Sequence, residues 1–174
     1  MKYLVKFFVV TFFFLICTYT FAEQKIVVLD MTYVLNNSKA GKGAQDYLKK
    51  SFTDNQKRFA ETEKKLKKEE TDLLEKKTIL SKEEYTKKTD DLRKKVIDYQ
   101  SQRRAALDKI GTQRAESRET LIKKINPILD SYIKENGISI VLDKKHMLGG
   151  KTEFDITQVI IEKLNKELPS LNLK

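Results

Sequence analysis

Along the middle of the chain, apolar residues are sparse and evenly spaced. Phe52, Phe59, Leu66, Leu73 and Leu80 recur every seven residues, and between Thr53 and Asp72 the only apolar residues are Phe59, Ala60 and Leu66. That spacing keeps side chains on one side of an α-helix, so it predicts a long helix with a single thin apolar seam. Past a break at residues 78–84, Tyr85, Leu92, Val96, Tyr99, Ala106, Ile110, Leu121, Ile125, Ile128 and Tyr132 fall at three- and four-residue steps or whole heptads, which gives a second helix with its own seam. Ser81 followed three residues later by Glu84 is a capping box, so this helix starts near Lys82. Two seams joined by a short turn predict an antiparallel hairpin over residues 44–133 with its tip near 79–84. The facing pairs are then Leu80 with Tyr85, Leu73 with Leu92, Leu66 with Tyr99 and Phe59 with Ala106. Arms of about 35 residues extend on the order of 50 Å at about 1.5 Å per residue.

The flanks alternate strand and helix signals. Lys25 to Asp30 is a continuous apolar, β-branched run and reads as a strand buried on both faces. Met31 to Asn37 predicts one helical turn with Tyr33, Val34 and Leu35 inward, and Ser38 is the N-cap of the first arm. Gly41 and Gly43 in the first turns imply a close backbone approach or a flexible root; Gly111 is a second flexible point. Pro127 should kink the returning helix, and Asn136-Gly137 ends it with Gly137 left-handed. Ile138 to Asp143 is a second strand. Residues 144–150 read as a turn and a short third strand, and Asp155, with Gln158 three residues on, caps a last helix that Leu168-Pro169 stops.

The fold class is therefore α+β and mostly α by residue count. A small body of three short strands and a helix, built from residues 23–43 and 134–174, carries the inserted hairpin. A body of roughly 60 residues is marginal alone and leaves open strand edges. A homo-oligomer with a shared β core is expected, its core formed by Ile26, Val27, Val28, Leu29, Ile138, Ile140, Val141 and Leu142. The hairpin seam is formed by Phe59, Leu66, Leu73, Leu80, Tyr85, Leu92, Tyr99 and Ala106.

The first 22 residues change the setting. Lys2 and Lys6 flank an apolar run from Phe7 to Cys17, and Thr20-Phe21-Ala22 precedes the polar Glu23-Gln24. This is the pattern of a secretory signal peptide cleaved after about Ala22; the run is short for a membrane-spanning helix. Ile16 before Cys17 argues against lipid attachment. The remaining chain has no cysteine, so disulfides contribute nothing to it. The net charge of +10 invites a nucleic-acid reading, yet from Lys57 to Lys95 fourteen basic residues are interspersed with ten acidic ones. That describes a solvated helix face, and export removes the chain from cytoplasmic nucleic acid. Anionic lipid headgroups or acidic client segments suit the residual charge better.

Candidate chemistry is thin. Gly149-Gly150-Lys151-Thr152 resembles the end of a phosphate-binding loop, but Lys145 stands where the first glycine belongs, the helix starts only after Asp155, and no parallel βαβ sheet is evident. His146 is the one histidine, so no metal set of the usual ligand types forms. Asp30 and Asp143 each end a strand and suit caps better than a catalytic pair. No catalytic, cofactor or metal residue is expected, and the protein is not read as an enzyme.

Lys25-Ile26-Val27-Val28-Leu29-Asp30, then Asn37-Ser38-Lys39-Ala40-Gly41-Lys42 opening a charged helix, Glu135-Asn136-Gly137 before Ile140-Val141-Leu142-Asp143, and Asp155-Ile156-Thr157 before the last helix resemble the Skp/OmpH family of periplasmic chaperones. The resemblance covers the whole mature chain. It implies a homotrimer with a β-barrel-like core and three hairpin arms around a cavity, a jellyfish shape in which unfolded outer-membrane proteins are held without ATP. A lipopolysaccharide-binding basic site has been proposed in the family, and the resemblance does not assign its residues to positions of this chain. Lys and Arg stems offer apolar surface beneath charged heads, which makes Lys64, Lys67, Lys68, Lys76, Lys87, Lys88, Arg93, Arg103 and Arg104 the candidate contacts for clients or an anionic lipid or lipopolysaccharide surface. The alternative from another class is a periplasmic coiled-coil spacer or adaptor that binds envelope components through its tip. An adaptor should concentrate contacts at Ile79 to Tyr85, and a holdase should spread them along the arm.

Overall fold

The computed structural model describes residues 24–173; the expected signal peptide lies outside them. The chain runs β1 (Lys25–Leu29), α1 (Met31–Asn37), α2 (Lys39–Glu75), a 3-10 turn at Lys76–Thr78, α3 (Lys82–Glu135), β2 (Ile138–Asp143), 3-10 turns at Lys144–His146 and Thr152–Phe154, and α4 (Thr157–Glu167). At about 1.5 Å per residue, the 37 residues of α2 rise about 55 Å. Each boundary has a local cause. Asp30 Oδ1 accepts from Tyr33 N at 2.7 Å and opens α1. Ser38 is at once the end cap of α1 and the N-cap of α2, its hydroxyl accepting from Gly41 N at 3.1 Å. At the tip, Ser81 Oγ accepts from Glu84 N at 3.2 Å while the Glu84 carboxylate accepts from Ser81 N at 3.2 Å. Gly137, at φ +60, ends α3 in the left-handed region that favours glycine. α3 runs without interruption through Pro127.

The body differs from the sequence expectation in four places. Among the described residues the sheet has two strands: the turn expected after β2 is the 3-10 turn at Lys144–His146, but no third strand follows it through residue 150. The Asp143 carboxylate accepting from Lys145 N at 3.1 Å curls the chain away from the sheet there. Second, β1 and β2 pair in parallel, the whole hairpin serving as their crossover; this is no nucleotide-type βαβ unit, because only the base of the crossover packs against the strands and the rest forms the hairpin arm. Third, α1 makes two turns, with Val34 and Leu35 buried but Tyr33 half exposed. Fourth, α4 begins at Thr157. Asp155 still serves its start, accepting from Thr157 N at 2.9 Å, while Gln158 donates to Glu162.

One apolar cluster holds the body together: Val27 and Leu29 of β1, Val34 and Leu35 of α1, Ala40 of α2, Leu121, Ile125 and Ile128 of α3, Ile138 of β2, and Ile156, Ile160, Ile161 and Leu164 around α4. The base of the returning arm is thus part of the core. The register shift between Lys25 and Ile26 skips Ser139 and lets Ile138 join this cluster, although strict alternation would put it on the face of Ile140. Of the residues expected to form an oligomer core, Val27, Leu29 and Ile138 are therefore used within the chain, with Val141 packed against them. Val28 is buried beneath the Asp155 bridge. Ile26, Ile140 and Leu142 are left on the outer face, each about 40% exposed or a little more.

Asp155 fastens α4 to the sheet. Ile156 N donates to Val28 O at 2.9 Å, Asp30 N donates to Thr157 Oγ1 at 2.9 Å, and Lys144 Nζ donates to Asp155 Oδ2 at 2.6 Å. Burial pushes the Asp155 carboxyl up, but the hydrogen bonds from Lys144 and Thr157 outweigh it and hold the pKa below its ordinary 3.8. A carboxyl with a lower pKa in the folded state binds fewer protons there. Its stabilisation is present above the ordinary carboxylate pKa and is lost as pH falls through the folded value. Asp155→Asn should accordingly make stability less pH-dependent between about pH 5 and 3, measured by urea unfolding at each pH. An unchanged slope would remove Asp155 from the account.

Candidate functional site

Beyond their base, the arms take no part in the body's core, and their packing is sparse. Between Lys49 and Glu116 only Phe59 and Ile110 are buried apolar residues. Leu66, Leu73, Leu80, Tyr85, Leu92, Tyr99 and Ala106 are half-buried. Leu73 and Leu92 line one hollow between the arms, of about 530 Å³, and Leu66 and Tyr99 share another of about 420 Å³ with Leu92 and Val96. The Phe59 ring packs edge-on against Tyr99, centroids 5.9 Å apart, a geometry that favours an aromatic pair. Tyr99 also donates to Glu63 Oε2 at 3.4 Å, and Lys95 meets Glu69 at 2.6 Å across the arms.

Phe59→Ala should loosen this arm without unfolding the body. A buried Phe truncated to Ala costs about 3–5 kcal/mol in a closed core, and a two-helix arm relieves part of that by fraying. Amide hydrogen exchange should quicken from residue 52 to the tip and stay unchanged in β1 and α4. Uniform acceleration would show that the arm and the body unfold together.

All nine basic residues singled out from the sequence are exposed. The arrangement does not gather them into one patch. Lys67 bonds Glu63 at 2.8 Å and Arg93 lies 3.5 Å from Asp90, each on its own helix. The Lys67 hydrogen bond holds the Glu63 carboxyl below its ordinary value. Lys76 and Lys88 flank the hollow of Leu73 and Leu92 together with Glu69, Asp72 and Asp91. Arg103 and Arg104 sit beside Ile97 and Leu107, which are 60% and 45% exposed. Lys64, Lys68 and Lys87 stand on the exposed faces of the arms. At the tip, Ile79 is 80% exposed, Leu74 on the preceding turn is 59% exposed, and Leu80 and Tyr85 turn into the seam.

Sequence reasoning missed two features. Ile97 and Leu107 are exposed apolar residues off the seam, and they escape a heptad count because it registers only the repeating positions. The other is a hollow at the root of the arms, where Leu48, Phe52 and Leu121 meet Lys49, Arg114 and Arg118. Its one sequence signal is the Arg114/Arg118 pair one turn apart. Among the described residues no group of three or more His, Cys, Asp or Glu could hold a metal ion, and no helix is long and apolar enough to cross a membrane. Asp30 and Asp143 act as caps, as their positions suggested; His146 closes the 3-10 turn after β2.

A long two-helix arm on a small α/β base defines the class of protein. The chain belongs to the family described as outer membrane protein (OmpH-like), which it matches over residues 25–164. It is 25% identical over 150 residues to a Skp-like protein of Pseudomonas aeruginosa, across 84% of this chain and 87% of that one. Its fold is also that of a solved structure named as an OmpH-like outer membrane chaperone of Caulobacter crescentus CB15, with a TM-score of 0.80 and 16% identity over 88% of this chain and 90% of that one.

Proposed function

We propose that this protein is exported, loses its leader after about Ala22, and works in the periplasm as an ATP-independent holdase. Three copies share a β core, and their arms enclose unfolded outer-membrane proteins and prevent their aggregation. The observation that carries this reading is the thin arm. α2, about 55 Å long, is joined to the longer α3 by few buried side chains, so the arms can splay. Their half-exposed Leu and Tyr residues, with Ile97 and Leu107 among cationic stems, offer weak contacts spread along the length. Unfolded β-barrel chains expose alternating apolar strands that aggregate before insertion, and positive arms speed the capture of acidic clients. The outward Ile26, Ile140 and Leu142 supply the surface for the other copies.

Light scattering of a urea-diluted porin, with and without the purified mature protein and with no nucleotide, tests the holdase. Aggregation should fall at a threefold molar excess of protein. Unchanged aggregation would overturn the reading. Protection insensitive to salt would remove the charge argument alone.

The adaptor reading keeps one observation in its favour, the exposure of Ile79 and Leu74 at the tip. Ile79→Ser discriminates: a holdase with spread contacts should retain most of its protection, and an adaptor should lose its partner.

A further inference from the structure

At the root of the arms, α1, the first turns of α2 and the middle of α3 enclose a hollow of about 560 Å³. That is within the range of about 300–1,000 Å³ of pockets that hold small ligands. Its floor is apolar: Leu48 and Leu121 are 5% and 3% exposed, and the ring of Phe52, 46% exposed, stands over them. Arg114 and Arg118 line one side from successive turns of α3, and Lys49 faces in from α2. Among the described residues none of these three cations has a carboxylate within ion-pair distance, and no carboxylate lines the hollow. This sets the hollow apart from that of Lys76 and Lys88, which Glu69, Asp72 and Asp91 also line, and from that of Arg103 and Arg104, which Asp108 lines.

We propose that this hollow binds the carboxy terminus of an extended peptide whose last side chain is apolar. Two guanidinium groups one turn apart present planar N–H forks to a single carboxylate. The Phe52 ring and the leucine floor take the adjoining side chain. The main chain of the ligand would meet amides: Asn36 and Gln45 both line the hollow, and Gln45 Nε2 donates to Asn36 Oδ1 at 3.0 Å, so the second amide proton and the carbonyl oxygen of such a pair remain as donor and acceptor. A peptide carries a donor and an acceptor on each residue to match them. A fatty acid, with a carboxylate on bare hydrocarbon, has no use for either. The inference rests on the holdase reading in that an unfolded client supplies such an end; it narrows the client contacts from the whole arm to one anchor.

The test uses a fluorescein-labelled heptapeptide without charged side chains that ends in Phe, as the free acid and as the carboxamide, followed by anisotropy with the mature protein. The acid should bind at least about tenfold more tightly than the amide, the discrimination a charge-assisted pair supports. Arg114→Gln with Arg118→Gln should erase that difference while leaving amide binding unchanged; both side chains are exposed, and circular dichroism checks the fold. Equal binding of acid and amide to the unaltered protein overturns the proposal, as does discrimination that survives the double substitution. Displacement of the peptide by dodecanoate at a lower concentration than by unlabelled peptide also overturns it in favour of a lipid. The porin scattering assay runs in parallel. Protection without acid–amide discrimination sinks the anchor alone, and discrimination without protection sinks the holdase reading alone.

Discussion

Val28→Asp should cost several kcal/mol of stability, the scale of burying an unpaired charge, and should prevent assembly. Val28 is 7% exposed. Its carbonyl accepts from Ile156 N at 2.9 Å, and the strand bridges to Asp155. A carboxylate at this position loses water and lies beside a second carboxylate whose cation, Lys144, is already engaged. Burial and like charge both favour its protonated form, so its folded pKa should rise. The deficit relative to the unaltered protein should therefore be fully present above the folded pKa and shrink as pH falls toward the unfolded value near 4. Urea unfolding of both proteins across pH, with sedimentation for assembly, checks both parts at one protein concentration, because the stability of any protein that assembles depends on its concentration. A variant that stays assembled with a pH-independent deficit would refute burial of that face.

What the sequence made legible follows from which interactions are local. Ser81 with Glu84, Ser38 with Gly41, and Asn136-Gly137 act within one helical turn, and all were readable because the chemistry and its partner sit a few residues apart. The heptads at 52, 59, 66 and 73 likewise report a helix directly. The parallel pairing of β1 with β2 joins residues more than a hundred positions apart, and no local pattern encodes direction. The short stretch from Lys144 to Gly150 misled for a related reason: Met147 and Leu148 look like strand residues, but strand pairing needs a neighbour and the Asp143 turn removes it. Leu148 is left fully exposed. The candidate site divides in the same way. The seam was legible, whereas the root hollow joins Phe52 to Arg114 and Arg118 across the hairpin and becomes visible only with the arms in register.

Two glycines two residues apart should respond to alanine with opposite signs. In the middle of a helix Ala is favoured over Gly by about 0.5–1 kcal/mol, so propensity alone predicts that both Gly41→Ala and Gly43→Ala stabilise. Space decides otherwise. A Cβ at Gly43 meets nothing within 4 Å, and that substitution should stabilise by about the propensity difference. At Gly41 the new carbon would overlap the carbonyl oxygen of Leu35, with the Leu35 carbonyl carbon and Ser38 Oγ at 2.9 Å. The first two are backbone atoms of the last turn of α1, held there because Ser38 ends α1 and starts α2 in one residue. No rotamer change can relieve them, so α1 must shift, and with it Val34 and Leu35, which are 0% and 4% exposed in the core. Overpacking typically costs about 1–3 kcal/mol and occasionally more. It exceeds the propensity gain and should leave Gly41→Ala destabilised by at least about 1 kcal/mol. Urea unfolding of the two variants at equal protein concentration measures the contrast; if both substitutions stabilise, the close approach of α1 and α2 is wrong.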